Sequence, residues 1–493
     1  MLNPWTGIAQ LSKSETCELQ NQKLSRFITR YLYPFSPHYR SLFDKNKIDP
    51  RSIRTVDDLR RIPFTSKLDF IQPDNPQRFR DFILQPDQEK IRGAWPLQDL
   101  LRLKAMSMIN GKEFVRDRLE REFHPCFITF TTGTTNRPVP YVYSGHDIRN
   151  LHLSGSRMLD LFNIPRSQNI VNMFPYAPHL AFWQVVFGGL SSCALVLSTG
   201  GGKVLGTEGQ IGVLEKMRPA VVLGVPSYVY HVLRMAQEKG IRMEYVKKIV
   251  LGASRVSMAF KLKLAELLTS MGAQEVSVFG TYGFTEARSA WAECPTVNDI
   301  SSGYHLYSDK EIFEVIDPKT GEPVGEGGDG EIVYTSIDSR GSSVLRYRTG
   351  DFVKGGIGYG ACPHCGRTVP RLSSDITRLS DVKDLRMSKV KGTLIDLNHF
   401  SQILTDFPEI DEWQVEIRKK NNDPFEIDEL VVYIACREGV NRGILEEAVK
   451  RSLSSMEVTP NAVVFLPLAE MIKRLELETA NKEKRILDVR PKD

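Results

Sequence analysis

The chain has 493 residues, of which 41% are hydrophobic and 25% charged, so it can bury more than one core and is not of the disordered class. Its net charge of +5 is small beside 65 basic and 60 acidic residues, and the absence of a long basic run argues against nucleic-acid binding. Seven cysteines in this length do not make a disulfide framework, so reduced thiols or a metal site are expected.

The N-terminal part of the chain carries no targeting or membrane signal. Residues Met1–Trp5 lack a basic start followed by an apolar core, and no apolar run reaches the ~18 residues that a membrane span requires. We therefore expect a cytoplasmic protein without a membrane partner. Residues 76–122 are polar and helical in rhythm and contain no chemical motif, so they are interpreted as an elaboration whose role the sequence does not reveal.

A hydroxyl-rich loop, Thr129–Pro138, closes a short β-like apolar segment. It reads Thr-Phe-Thr-Thr-Gly-Thr-Thr-Asn-Arg-Pro. Glycine lets backbone amides approach an anion, hydroxyls donate hydrogen bonds to phosphate oxygens, and arginine adds a fixed cation. An ordinary turn is the alternative interpretation. The residues predicted to hold phosphate are Thr131, Thr132, Gly133, Thr134, Thr135 and Arg137.

An aromatic stretch, Asn172–Trp183, follows. His179, Phe182 and Trp183 are candidates for lining a substrate pocket, and core packing explains the stretch equally well. The glycine run Ser198–Val204 does not fit a Walker loop, because leucine occupies the first glycine position and valine follows the lysine. We interpret that run as a flexible loop.

Strand-like and helix-like segments alternate in the middle of the chain. Apolar runs at Ala220–Gly224, Lys248–Gly252 and Val276–Phe279 alternate with helical patterns at Tyr228–Lys239 and Ala259–Met271. This alternation predicts an α/β fold with a parallel sheet covered by helices.

The pattern changes twice towards the C-terminus. Glu311–Ser336 reads as strand, glycine-rich turn and strand, which indicates an antiparallel β subdomain. After Arg378 a small α/β unit is expected, with a boundary at residues 377–382. The predicted organisation is a large N-terminal domain over residues 1–377 and a small C-terminal domain over residues 378–493. The segments that predict the small unit are helix-like Phe400–Phe407 and Gly443–Met456 and strand-like Glu412–Ile417 and Glu429–Cys436.

A Cys-Pro-His-Cys sequence at Cys362–Cys365 has the spacing of a zinc knuckle, in which both thiolates face one ion. Cys294 and His305 would complete a tetrahedral structural zinc site, and His364 is the competing fourth ligand. The alternative is a reduced surface pair beside a hydrogen-bonded histidine.

Three further segments complete a pattern with the hydroxyl-rich loop. They are Phe279–Glu286 (Phe-Gly-Thr-Tyr-Gly-Phe-Thr-Glu), Leu345–Asp351 (Leu-Arg-Tyr-Arg-Thr-Gly-Asp) and Asn481–Arg490 (Asn-Lys-Glu-Lys-Arg-Ile-Leu-Asp-Val-Arg). In this order and spacing the segments resemble the motifs of the adenylate-forming, acyl-CoA synthetase-like superfamily, and most closely its phenylacetate-CoA ligase branch. The resemblance spans nearly the whole chain and also includes Tyr33–Arg40, Thr55–Leu59, Ile62–Lys67, Gly224–Ser227, Asp317–Glu322 and Cys365–Arg371.

This resemblance implies a fold and a reaction. The implied fold is that of adenylate-forming enzymes, with a large N-terminal α/β domain that includes a β subdomain and a small mobile C-terminal α/β domain. The implied reaction is AMP-forming: an organic acid, by resemblance an aryl or arylacetic acid, is activated with ATP and Mg²⁺, and the acyl group passes to a thiol. Coenzyme A is the default acceptor, with a carrier protein or an amine as alternatives. A nucleotide-binding regulatory protein without turnover is the alternative outside the enzyme class.

The resemblance also implies residue roles. Because adenylate formation depends on charge neutralisation and alignment, Glu286 is expected to hold magnesium and Lys482 to reach the α-phosphate, with Lys484 as its competitor. The two carboxylate oxygens of Asp351 would accept both ribose hydroxyls. Adenylate contacts are implied for Ala253, Ser254, Tyr282, Gly283 and Thr285, and hinge roles for Arg378 and Asp381.

One departure from the family pattern concerns phosphate. Many superfamily members carry lysine just after the proline of the phosphate loop, and this chain has Val139 there. Arg137 is then the local cation, and phosphate binding would depend more on hydroxyl groups.

Overall fold

The computed structural model describes residues 3–71, 74–131, 138–254, 256–295, 301–379, 387–390, 393–396, 398–420, 428–454, 459–478 and 483–490. The chain forms two compact units that interleave along the sequence. The first comprises Met1–Asn169, Tyr176–Val196 and Phe279–Ile376, and the second Ile170–Pro175, Leu197–Val278 and Thr377–Asp493. Independent movement of residues 378–493 stays a prediction. None of the helices in these ranges is both long and apolar enough to cross a membrane.

Helices dominate the N-terminal half of the first unit. The helical rhythm predicted within residues 76–122 is confirmed, because Gln88–Ala94, Leu97–Asn110 and Lys112–Phe123 are α-helices. The other α-helices of this unit are Lys13–Phe27, Tyr33–Phe35, Pro37–Lys45, Gly145–Leu161 and Leu180–Ser192, with a π-helix at Ile28–Leu32. Single 3₁₀ turns occur at Pro50–Ser52, Val56–Arg61, Lys67–Phe70 and Arg78–Phe82.

The helix Gly145–Leu161 begins at a capping box. The Ser144 hydroxyl accepts a hydrogen bond from the backbone N–H of Asp147, and the Asp147 carboxylate accepts one from the backbone N–H of Ser144 at 2.9 Å. The same buried carboxylate accepts the backbone N–H of Gly341 at 2.6 Å and pairs with Arg288 at 3.0 Å. Asp147 therefore ties the helix start to the turn that precedes the strand Ser289–Ala292.

The rest of the first unit is mainly antiparallel sheet. Glu311–Ile316 pairs with Gly330–Ser336, which pairs with Tyr347–Val353, so the predicted antiparallel β subdomain is confirmed. Within Ser277–Phe284, residues 281–284 pair with Ser289–Ala292 in antiparallel register. The remaining strands are Pro125–Phe130 with Pro140–Ser144, the set Tyr304–His305, Ile357–Gly358 and Arg371–Leu372, and the short Ile376–Arg378.

The second unit contains the predicted parallel sheet. Ile170–Asn172, Val221–Gly224 and Lys248–Leu251 pair in parallel, with Val196–Ser198 at the edge. The helices Gly202–Met217, Pro226–Glu238 and Met258–Ser270 cover it. Their apolar faces pack with the strands into one core that includes fully buried Val222, Leu233 and Leu264, as the alternating pattern predicted.

The interpretation of Ser198–Val204 as a loop is wrong in part, because a helix begins at Gly202. Gly201 has a φ of 75°, a conformation that favours glycine, and its carbonyl accepts a hydrogen bond from Gln210 Nε2 at 3.0 Å. The glycines therefore mark a helix start, and Gly206, with a φ of 66°, kinks the same helix.

The C-terminal part of the second unit is a small α/β layer. Ile410–Lys419 pairs antiparallel with Asp428–Cys436 and parallel with Ile486–Asp488, and Asp428–Cys436 pairs parallel with Ala462–Phe465. The helices are Asn398–Thr405, Arg442–Ser454 and Leu468–Leu475, and Met387–Val390 pairs antiparallel with Thr393–Asp396. The buried Asp411 carboxylate pairs with Arg234 and accepts the Tyr230 hydroxyl at 3.3 Å, which ties this layer to the helix Pro226–Glu238.

Candidate functional site

Glu286 lies in the tight turn that joins the strands Ser277–Phe284 and Ser289–Ala292. Gly283 permits this hairpin, because a Cβ there would lie 2.8 Å from the Cβ of Ala290. The Glu286 carboxylate is half-buried, and its Oε1 accepts a hydrogen bond from the Tyr347 hydroxyl at 2.8 Å. The turn is thus joined to the strand Tyr347–Val353, which carries Asp351.

Asp351 makes the reciprocal contact, with a tyrosine of the segment that carries Glu286. Its side chain is buried, and its Oδ2 accepts a hydrogen bond from the Tyr282 hydroxyl at 2.8 Å. The backbone N–H of Asp351 donates to Thr349 Oγ1 at 3.0 Å across Gly350, whose φ is 71°. The two segments therefore exchange contacts: a tyrosine of each one orients a carboxylate of the other. We call this arrangement the tyrosine–carboxylate pair.

A third tyrosine, Tyr141, is buried beside Glu286 and Tyr347. Burial is the largest cause that raises the pKa of Tyr141 well above its ordinary value, and the neighbouring Tyr347 and Glu286 raise it further. A phenol that keeps its proton remains a hydrogen-bond donor. Tyr141 therefore adds no negative charge beside Glu286.

Two hydrogen bonds join Thr131 to Val139 at the base of the hydroxyl-rich loop. Thr131 is buried, its N–H donates to the carbonyl of Val139 at 3.0 Å, and its Oγ1 accepts the Val139 N–H at 3.0 Å. These two bonds close the loop at the position where the sequence departs from the family pattern. The predicted phosphate ligands Thr132, Gly133, Thr134, Thr135 and Arg137 lie outside the described residues, as do Asp381 and Lys482.

The predicted pocket residues belong to an aromatic cluster beside this loop. His179 Nδ1 lies 3.0 Å from the carbonyl oxygen of Phe130, so a ring N–H there donates to the backbone next to Thr131. Trp183 Nε1 donates to the Ala177 carbonyl at 3.2 Å, and its ring packs edge-on against Phe182 at 5.3 Å between centroids. The cluster has the packing expected of a core, and its role in a pocket stays a prediction.

The other predicted contacts are distributed over both units. Tyr282, Gly283, Thr285 and Glu286 come together with Asp351 in the first unit. Ala253 and Ser254 belong to the second unit, after the strand Lys248–Leu251, and Ala253 has a left-handed φ of 66°. Arg378 is exposed and is the last residue of the strand Ile376–Arg378.

A second polar cluster in the first unit consists of Cys294, His305, Cys362 and Cys365, the cysteine–histidine centre. Their ligand atoms all lie within 4.8 Å of one another. His305 Nε2 is 3.8 Å from the sulfur of Cys294 and 3.4 Å from that of Cys365. Among the described residues the group contains His305 and not His364, whose side chain is exposed.

This geometry fits a tetrahedral ion. With zinc–sulfur and zinc–nitrogen distances of ~2.3 and ~2.0 Å, neighbouring ligand atoms of a tetrahedron are separated by about 3.5–3.8 Å. Cys294, His305 and Cys362 are almost fully buried, and Cys365 is partly exposed. The hydrogen bond between Cys294 and Cys362 lowers the pKa of Cys362 and raises that of Cys294, so Cys362 is the thiol of this pair that is favoured as the metal-binding thiolate.

Two residues that the sequence interpretation did not assign have specific roles in this geometry. Tyr347 lies inside the motif Leu345–Asp351, but the sequence did not reveal that its hydroxyl donates a hydrogen bond to Glu286. Glu293 precedes Cys294 and is fully buried, with its Oε1 2.5 Å from the backbone nitrogen of Gly280. The only sequence signal for this role is an acidic residue directly after an apolar strand.

Comparisons with known proteins identify the family of the chain. The family described as AMP-binding enzyme matches residues 63–341. A phenylacetate-coenzyme A ligase of Thermus thermophilus is 25% identical over 440 residues, which cover 89% of this chain and 85% of that protein. One from Aromatoleum evansii is 24% identical over 513 residues, covering 99% and 97%.

The fold comparison extends over nearly the whole chain. The crystal structure of a 2-hydroxyisobutyryl-CoA ligase in its postadenylation state, bound to an acyl adenylate, is similar with a TM-score of 0.73 and 19% identity. The match covers 98% of this chain and 91% of that one. The predicted fold class is thereby confirmed.

Proposed function

Since the chain belongs to the family of AMP-binding enzymes, we propose that it joins a carboxylic acid to coenzyme A through an acyl adenylate. In the first step the acid's carboxylate attacks the α-phosphorus of ATP and pyrophosphate leaves. In the second step the thiol of coenzyme A attacks the acyl carbon and AMP leaves. The single observation that carries this proposal is the tyrosine–carboxylate pair, which brings Glu286 and Asp351 together from the two motif segments.

Each carboxylate has a distinct task in this reaction. Asp351, oriented by Tyr282, would accept hydrogen bonds from the ribose hydroxyls and so fix the position of the nucleotide. Glu286, oriented by Tyr347, would hold Mg²⁺, whose charge neutralises phosphate oxygens. The hydroxyl-rich loop would bind the β- and γ-phosphates, and Ala253 and Ser254 would contact the adenine.

The acid is proposed to be an aryl or arylacetic acid. Two relatives that cover most of this chain are named phenylacetate-coenzyme A ligases. The aromatic cluster around Phe182 and Trp183 is of matching chemistry, because aromatic rings pack favourably edge-on against one another. His179 links this cluster to the start of the hydroxyl-rich loop, so an acid bound there would lie near the proposed phosphate site.

The cysteine–histidine centre is proposed to hold a structural Zn²⁺. Soft thiolate and imidazole ligands in a buried tetrahedral group are typical of closed zinc sites, which contribute to folding and lack an open coordination position.

The proposal is tested by ATP–pyrophosphate exchange over a panel of phenylacetate, benzoate, indoleacetate, acetate and 2-hydroxyisobutyrate, followed by thioester formation with coenzyme A. We expect exchange with an aromatic acid and a CoA thioester as the product. A matched control for Asp351→Asn is Asp329→Asn, since Asp329 is an exposed carboxylate in the same β region and accepts the Gly355 N–H at 2.7 Å. Nucleotide binding without exchange for any acid would contradict the ligase function, and exchange with acetate alone would contradict the aromatic substrate.

A further inference from the structure

The cysteine–histidine centre and the segment Phe279–Glu286 are joined at two places by residues that directly precede metal-ligand candidates. We propose that this centre sets the nucleotide affinity of the enzyme, with Glu293 and Tyr304 as the positioning residues that transmit its geometry to Phe279–Glu286. The inference rests on the proposed nucleotide and metal sites. It goes beyond a structural zinc, because metal loss is expected to weaken nucleotide binding in protein that is still folded.

The first connection runs through Glu293, which directly precedes Cys294. The Glu293 side chain is fully buried, its Oε1 accepts the backbone N–H of Gly280 at 2.5 Å, and its other oxygen accepts the Ser301 hydroxyl. A carboxylate that accepts hydrogen bonds in a dry environment makes strong, directional contacts. A shift of Cys294 would therefore move the acceptor that holds the backbone of Phe279–Glu286.

The second connection runs through Tyr304, which directly precedes His305. Its ring lies 5.9 Å from the ring of Tyr282, the residue that donates to Asp351. Tyr304 and His305 are adjacent residues of a strand that pairs with Arg371–Leu372. Their backbone positions are therefore coupled. A displacement of His305 would thus reach the proposed ribose ligand through a single ring contact.

Both connections converge on Gly280. A Cβ built at this position would lie 3.1 Å from the Glu293 Oε1 and 3.3 Å from the Tyr304 hydroxyl oxygen. Both distances are too short for relaxed packing of a side chain. The backbone at Gly280 is therefore enclosed by the two residues that precede Cys294 and His305.

The centre is suited to this role because it joins separate stretches of chain. The knuckle is closed locally, since the backbone N–H of Cys362 donates to the Arg367 carbonyl at 2.8 Å and that of Gly366 donates to the Cys362 carbonyl at 2.9 Å. Cys294 lies at the end of a hairpin and His305 in a separate short strand. A metal held by all of them would fix both positions relative to the knuckle, whereas the thiols alone interact weakly.

The test compares zinc content, AMP affinity and secondary structure of the full chain in four proteins: wild type, Cys365→Ser, Glu293→Gln and the double variant. Cys365 is the partly exposed ligand, so its loss disturbs the core least, and Cys436→Ser is the control for thiol loss outside the centre. AMP binding is measured by calorimetry, and circular dichroism establishes that each protein is folded at the assay temperature.

We expect the wild type to hold about one zinc and Cys365→Ser to lose it, with AMP Kd raised about tenfold or more while the circular dichroism is unchanged. Glu293→Gln should keep its zinc and still bind AMP severalfold more weakly. In the double variant the two effects should be less than additive, because the mutations interrupt the same connection. Cys436→Ser should match the wild type.

Unchanged AMP affinity in folded, zinc-free Cys365→Ser would overturn the inference while leaving the proposed function intact. Additive effects in the double variant would overturn the role of Glu293. If Cys365→Ser unfolds at the assay temperature, Glu293→Gln decides alone, and wild-type AMP affinity in that variant overturns the inference. A wild type that does not bind AMP would instead contradict the proposed function itself.

Discussion

The tyrosine–carboxylate pair and the cysteine–histidine centre are polar clusters of the same unit, but they offer opposite ligand chemistry. The pair presents hard carboxylate oxygens, of which those of Glu286 are half-buried and those of Asp351 buried. The centre presents soft thiols and an imidazole, and His305 and Cys294 are almost fully buried. Oxygen ligands suit a magnesium–nucleotide complex that must enter and leave in each turnover, and buried thiolates suit an ion that stays. Ligand type thus distinguishes the proposed magnesium–nucleotide site from the proposed zinc site.

The largest expected effect concerns the cation that adenylation needs, because neither cluster supplies a lysine or an arginine. Negative charge develops on the phosphate during adenylation, and Lys482 is proposed to stabilise it. Lys482→Ala should lower the rate of adenylate formation by roughly 10²–10³-fold, as loss of a direct electrostatic contact to a transition state does. Transfer from a supplied acyl adenylate to coenzyme A should be largely retained. Both half-reactions are measured separately.

Lys484→Ala is the control for this prediction. Its ammonium group lies 2.5 Å from Glu476 Oε1 at the surface, so it already has a carboxylate partner in the second unit. Equal loss of both half-reactions in Lys482→Ala, or a larger defect in Lys484→Ala, would show that the catalytic lysine is misassigned.

The next largest effect concerns the tyrosine–carboxylate pair. Asp351→Asn retains the shape and a hydrogen-bond acceptor for Tyr282 but removes the charge that would receive the ribose hydroxyls. We expect the AMP affinity to fall by about 1.5–3 kcal/mol, the usual value of a charge-assisted hydrogen bond, with little change in melting temperature. Calorimetric titration with AMP gives this value. An unaltered affinity would remove Asp351 from the nucleotide site.

Loss of a ligand of the cysteine–histidine centre should, in addition to its effect on AMP binding, affect stability. Cys362→Ser should release the zinc and lower the melting temperature, because the energy of metal binding contributes to folding in such sites. Zinc analysis and thermal unfolding measure the two effects, and Cys193→Ser is the control because Cys193 is exposed and outside the centre. A zinc-free wild type that is fully folded after purification without chelator would refute the metal site.

The two clusters also differ in how far the sequence predicts them. The cysteine–histidine centre is predicted by residue spacing and by the small number of cysteines. The Cys362–Cys365 spacing marks a metal knuckle, and a chain with seven cysteines offers few other thiols to complete it. The alternating apolar runs likewise predicted the parallel sheet of the second unit, and the strand–turn–strand pattern predicted the antiparallel β region. These features depend on local periodicity or on rare residue types.

The tyrosine–carboxylate pair could not be predicted in the same way. Its two hydrogen bonds join residues that are separated by 61 and 69 positions in the sequence. From the sequence alone, a tyrosine in an apolar strand is interpreted as a core-packing residue. The start of the helix at Gly202 was missed for a different reason, since consecutive glycines are typical of loops and the local hydrogen bond from Gln210 to Gly201 is not visible in the sequence. Long-range pairing determines the contacts of the tyrosine–carboxylate pair.

The smallest expected effect concerns the tyrosine that sequence interpretation missed. Tyr347→Phe removes the 2.8 Å hydrogen bond to Glu286 and keeps the aromatic packing. Since one such bond contributes about 1 kcal/mol, we expect the magnesium concentration for half-maximal adenylation to rise about fivefold, without a comparable change in the KM of the acid. The matched control is Tyr33→Phe, because the Tyr33 hydroxyl donates to the Asp44 carboxylate at 2.9 Å at the protein surface. A merely structural tyrosine would lower the melting temperature and leave the magnesium requirement unchanged. That result would show that Glu286 is oriented without Tyr347, and that the exchange of contacts between the two motif segments is not needed for catalysis.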